Sequence, residues 1–157
     1  TPDAAQAFQL ALTSLATELA QDIVRDGEGA TKFVAIEVSG AKSVAEADSV
    51  GRTVAHSPLV KTALCASDPN WGRILAAIGR AGVEDLDVDA VSLSINGALI
   101  AENGARAESY TEQAGVAAMA PEDLLIVIDL ARGNETAMIW TTDFSYDYVK
   151  INTEYRT

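Results

Sequence analysis

Short runs of alternating apolar residues, bounded by turn chemistry and separated by helix-like stretches, restrict this chain to few architectures. In 32–38, Val34, Ile36 and Val38 fall on one face, as a half-buried strand requires. Residues 91–95 alternate in the same way, Asn96-Gly97 is a strong two-residue hairpin turn, and 98–101 pair back across it. Residues 124–130 and 137–141 flank Gly133-Asn134 and predict a second, longer hairpin. Residues 59–66 read as a further strand, although Lys61 and Thr62 make it partly polar.

Between these runs the period changes. Phe8, Leu12, Leu15, Leu19 and Ile23 recur at steps of three and four, which makes one stripe of an amphipathic helix over 3–26. Each such side chain gains about 1.5–3 kcal/mol on burial, so this helix needs a partner surface. Ser43 followed by Glu46 is a capping box that opens a helix through His56, which Pro58 then stops. Further helices are expected over 71–81, 111–119 and 145–155. Strands arriving as hairpins between helices predict an α/β fold: a layered sandwich on a mixed or largely antiparallel sheet, with residues 1–157 forming one unit.

Charge and composition exclude several classes. A formal charge of −12 without a Lys or Arg run argues against a nucleic-acid partner. No stretch approaches the roughly 18 apolar residues a bilayer span needs, and no basic-then-apolar leader is present, so no membrane association and a cytoplasmic location are expected. One histidine and one cysteine give no metal-ligand spacing, so no metal is expected. Cys65, within Leu64-Cys65-Ala66, reads as a buried thiol, and His56 as a helix-end residue.

Three segments carry candidate chemistry. In Asp26-Gly27-Glu28-Gly29, two glycines around a carboxylate let the backbone approach a ligand closely, and Glu28 suits an ammonium; a helix stop with a solvated Glu28 is the plain alternative. In Asp68-Pro69-Asn70-Trp71-Gly72-Arg73, Asp68 is positioned to cap the following helix, and Arg73 on its first turn calls for a carboxylate partner, in the protein or in a ligand. The glycines at 72, 79 and 82 do not follow the order of a phosphate-binding loop. Thr1 could act as an N-terminal nucleophile, but the helix-forming segment after it favours a simple site of chain cleavage.

Glu28-Gly29-Ala30-Thr31-Lys32, Ser57 through Ala63, Asp68 through Ala77 and Asp143 through Thr157 resemble, in combination, the ornithine acetyltransferase family. Its members are also called glutamate N-acetyltransferases, of arginine biosynthesis. The resemblance implies a precursor that cuts itself into an α and a β chain before a threonine in an Ala-Thr-Met-Leu segment. That threonine would accept acetyl from N-acetylornithine and pass it to glutamate, releasing ornithine. Acetyl-CoA is a possible co-substrate in a bifunctional member, and no cofactor is implied. This chain lacks Ala-Thr-Met-Leu, so it resembles the C-terminal part of the β chain. The nucleophile and oxyanion hole would then lie outside it, and no catalytic residue within it. The implied partners are the α chain and the remaining β segment, in a hetero-oligomer of two α and two β chains.

Carried over position by position, the resemblance marks Glu28, Asn152 and Thr157 as substrate-binding. Two other classes stay open at this point: an N-terminal-nucleophile amidohydrolase or aminopeptidase using Thr1, and a non-catalytic scaffold domain.

Overall fold

A computed structural model of the chain describes residues 2–155. Six strands form one mixed sheet in the order β4-β3-β2-β5-β1-β6. The strands are β1 (Phe33–Ala41), β2 (Ser92–Ile95), β3 (Ala98–Glu102), β4 (Ala105–Arg106), β5 (Asp123–Asp129) and β6 (Glu135–Thr142). The helices are α1 (Pro2–Arg25), α2 (Val44–Ala55), α3 (Pro58–Cys65), α4 (Trp71–Gly79), α5 (Glu112–Met119) and α6 (Tyr146–Glu154). Only β1 and β5 run parallel; every other neighbouring pair is antiparallel. The expected α/β class with a mixed sheet is therefore present.

The core lies on one face of the sheet. Val34, Ile36 and Val38 of β1 join Leu124, Ile126 and Ile128 of β5 beneath Val50 and Val54 of α2, Leu64 of α3 and Ile74 and Ile78 of α4. α2 sits so close to β6 that a Cβ on Gly51 would run into the Ile139 side chain. The opposite face is only half covered, with Leu125 and Met138 exposed.

Residues 58–65 are a helix, not the strand expected from their apolar content. Ser57 Oγ accepts from the Val60 N–H, and Pro58 occupies the first turn, where its missing N–H costs nothing. Pro58 thus opens a helix as well as following one. The buried positions Val60, Ala63 and Leu64 have helical spacing, whereas Leu59 is 63% exposed.

The second hairpin is also corrected. β5 and β6 do not pair with each other, because β1 lies between them, parallel to β5 and antiparallel to β6. The connection after β5 passes over the end of β1, where the Leu130 N–H donates to Ser39 O and the Arg132 N–H to Gly40 O. A Cβ on Gly133 would collide with the Ala41 carbonyl, so a glycine lets the loop cross.

The first helix forms over its expected span, but its stripe has no partner among the described residues. Phe8 is 70% exposed and Ile23 75%, with Leu12, Leu15 and Leu19 also exposed. Arg25 fixes its last turn, donating to both Asp123 oxygens at 2.6 and 2.8 Å and stacking 3.9 Å above the Phe33 ring. No helix among the described residues is long and apolar enough to cross a membrane.

Candidate functional site

The loop after α1 and the last helix meet beside β6, the strand at one edge of the sheet. Chain reversal at the end of α1 uses Gly27, whose carbonyl accepts from the Ala30 N–H at 3.0 Å. Gly29 follows with φ +66°, a left-handed conformation that strains any residue bearing a Cβ. Space forbids a side chain there as well. A Cβ on Gly29 would stand 2.5 Å from Tyr148 N and 2.9 Å from the Asp147 carbonyl carbon, both in the first turn of α6.

α6 begins at Ser145, whose Oγ accepts from the Tyr148 N–H at 3.2 Å and donates to the Gly29 carbonyl. One hydroxyl therefore caps the helix and ties it to the glycine loop. Two turns on, Asn152 Nδ2 donates to Glu28 Oε2 at 3.0 Å and to the Tyr148 carbonyl at 2.9 Å. Residues 124 positions apart are thus brought into direct contact, and both are exposed. Thr157, the third residue expected here, lies outside the described residues, as does Thr1.

Next to this loop sit two groups not singled out among the candidate site residues, Asp143 and Lys61. Asp143, the residue after β6, is 4% exposed. Its Oδ1 accepts from the N–H groups of Thr31 and Lys32 at 2.8 and 3.0 Å, and its Oδ2 from the Thr31 hydroxyl at 2.7 Å. Burial pushes this carboxyl up, but the hydrogen bonds from Thr31 and Lys32 outweigh it and hold the group below the ordinary carboxylate range. Lys61 Nζ, half-buried, donates to Thr141 Oγ1 at 3.0 Å and to the Thr142 carbonyl. Burial lowers its pKa, opposed by the charge of Asp143. A cleft of about 360 Å³ opens here, lined by His56, Lys61, Thr142, Asp143, Phe144 and Tyr148. The one advance signal for Asp143 was its place at the start of the block running to Thr157.

The other sequence candidates are architectural. Asn70, not Asp68, caps α4: its Oδ1 accepts from the Arg73 N–H at 3.1 Å, while Asp68 accepts from Asn70 Nδ2 at 2.9 Å. Pro69 displaces the cap by two residues. Arg73 makes no ion pair among the described residues; its Nη1 donates to the Leu59 carbonyl at 2.9 Å and to Thr62 Oγ1 at 3.3 Å, joining α4 to α3. Cys65 is only partly buried; burial first, then the charge of Asp143, raises its pKa. His56 caps the end of α2, as expected.

The ArgJ family model matches residues 1–157. The chain is 57% identical, over 152 residues, to "Arginine biosynthesis bifunctional protein ArgJ" of Pseudomonas syringae pv. tomato, covering 97% of this chain and 38% of that protein. To the protein of the same name from Pseudomonas fluorescens it is 58% identical over 147 residues, covering 94% of this chain and 36% of that one. The chain thus spans well under half the length of these curated relatives. A crystal structure of arginine biosynthesis bifunctional protein argJ from Bacillus halodurans superposes with a TM-score of 0.89 at 37% identity, over 96% of this chain and 70% of that one.

Proposed function

This chain belongs to the ArgJ family, and on that premise we propose that it supplies the amino-acid-binding edge of an acetyltransferase in arginine biosynthesis. The whole enzyme moves acetyl from N-acetylornithine, through a threonyl-enzyme intermediate, to glutamate, and in its bifunctional form also takes acetyl from acetyl-CoA. The nucleophilic threonine and the oxyanion hole belong to segments outside this chain. The proposal includes self-cleavage of the precursor, assembly of two α with two β chains, and a cytoplasmic location.

The observation that carries this reading is the 3.0 Å hydrogen bond between Asn152 Nδ2 and Glu28 Oε2. An acceptor-only carboxylate and a primary amide are the pair needed to grip a ligand bearing an ammonium and a carboxylate. Both N–H donors of Asn152 are engaged in the described state, one on Glu28 and one on the Tyr148 carbonyl. A ligand entering between the two side chains exchanges that bond for two of its own. Its ammonium takes Glu28, which frees an amide N–H for its carboxylate, with Thr157 as a second donor in the proposal.

In the full-length enzyme, Glu28→Gln keeps the size and the contact to Asn152 but removes the charge. Losing a charge-assisted hydrogen bond costs about 1.5–3 kcal/mol, so the KM for N-acetylornithine should rise about 10–100-fold with little change in melting temperature. An unchanged KM rejects the reading.

A further inference from the structure

The loop that carries Glu28 holds two glycines within three residues, Gly27 and Gly29. Such a segment samples many conformations unless something outside it restrains them. The main restraint is a carboxylate that holds the two residues at the loop's end, Thr31 and Lys32. Asp143 accepts from the Thr31 N–H, the Lys32 N–H and the Thr31 hydroxyl, at 2.8, 3.0 and 2.7 Å. Two carboxylate oxygens offer about four acceptor sites, and the loop itself takes three of them. The group is only 4% exposed, and its described bonds are all to the loop rather than to Glu28 or Asn152. Two residues on, Ser145 ties the Gly29 carbonyl to the start of α6.

We propose that Asp143 is a positioning residue for amino-acid binding, locking the loop of Gly27–Gly29 against α6 so that Glu28 and Asn152 receive the ligand in a preformed arrangement. This rests on the reading of Glu28 and Asn152 as ligand contacts. When a binding-competent arrangement is only partly populated, apparent affinity falls by that fraction. Releasing the loop therefore weakens binding but leaves the step after binding intact, because the bound geometry is the same.

The test uses the full-length enzyme. Asp143→Ala removes the lock, Asp143→Asn keeps an oxygen toward both amides, and Glu28→Gln runs in parallel. Asp143→Ala is expected to raise the KM for N-acetylornithine about tenfold, as a drop of the competent fraction to about a tenth requires. Its kcat should stay within about threefold, and deuterium uptake across residues 27–32 should quicken. Asp143→Asn should return KM to within about threefold of the parent. If the alanine variant yields no folded enzyme, Ser145→Ala, which removes one tie only, reads the same quantity with a rise of about threefold. A raised KM in Glu28→Gln with an unchanged KM in Asp143→Ala, or in Ser145→Ala where that variant is read, overturns the positioning role and leaves the pocket standing. An unchanged KM in Glu28→Gln removes the pocket, and the role assigned to Asp143 falls with it.

Discussion

Replacing Gly29 by alanine tests whether α6 is seated on the loop that carries Glu28. Two penalties combine. The left-handed backbone at φ +66° costs a residue with a Cβ about 1–2 kcal/mol. The added carbon would also stand 2.5 Å from Tyr148 N and 2.9 Å from the Asp147 carbonyl carbon. These are backbone atoms and cannot rotate aside, so overpacking adds about 1–3 kcal/mol. The sum is roughly 2–5 kcal/mol. Gly82→Ala is the control, because Gly82 has φ +73° but nothing within 4 Å of the added carbon. It should show the backbone penalty without the clash. Any gain from stiffening the unfolded chain is similar in both and cancels in the difference. Urea unfolding followed by circular dichroism should therefore place Gly29→Ala about 1–3 kcal/mol below Gly82→Ala, with similar m-values. Equal destabilisation by the two substitutions would mean that α6 does not press on the loop. The contact between Asn152 and Glu28 would then lose its structural basis.

Two further outcomes follow from buried charge. Arg132 Nε lies 3.1 Å from Glu46 Oε1 with both side chains nearly buried, at 12% and 13% exposure. Glu46→Ala removes the only ionic partner of Arg132 among the described residues, leaving its Nη2 on the Glu84 carbonyl, and should cost about 3–5 kcal/mol in urea unfolding, whereas replacing both residues with methionine should recover most of it. Acid should act through Asp143. Its folded pKa is depressed below the unfolded value of about 3.9, so its contribution is complete above that value and disappears as pH falls through the folded pKa. The stability gap between the parent and Asp143→Asn should be largest near neutrality and shrink as pH falls below the unfolded value of about 3.9, as urea midpoints across that range will show.

Local chemistry was legible where it decides structure locally. Ser43 caps α2 as expected, its Oγ accepting from the Glu46 N–H at 3.1 Å, although the Glu46 carboxylate reaches the Lys42 N–H instead of closing the box. Asn96 and Gly97, with φ of 45° and 81°, make the tight turn between β2 and β3. The failures have a common cause. Which strand separates β5 from β6 is decided by β1, some 90 residues earlier, and neither run of alternating residues carries a sign of it. In the same way Val60, Ala63 and Leu64 fit a helix and a short strand alike until α4 packs against them. The meeting of Glu28 and Asn152 spans 124 residues and followed only from family resemblance; nothing in either segment names the other. Asp143 was hidden for the opposite reason, since an acidic residue after a strand ordinarily reads as solvated and its burial depends on the loop folding over it.

The exposure of Glu28 and Asn152 sets a limit on what this chain can do by itself. A carboxylate in open water gains little from an ammonium, typically under about 1 kcal/mol. Tens-fold discrimination needs the pair to be shielded, since the same contact strengthens as water is excluded. On the proposed reading, the glycine loop and α6 form one wall of such a site. The relatives are more than twice as long as this chain, which spans 38% of one of them. The shielding is therefore expected from segments outside residues 1–157. Titration calorimetry should find that the isolated chain binds N-acetylornithine at least tenfold more weakly than the full-length enzyme, and that Glu28→Gln changes this residual binding by less than about fivefold. Equal affinity of chain and enzyme would show that Glu28 and Asn152 already form a complete site, and the need for an external wall would be refuted.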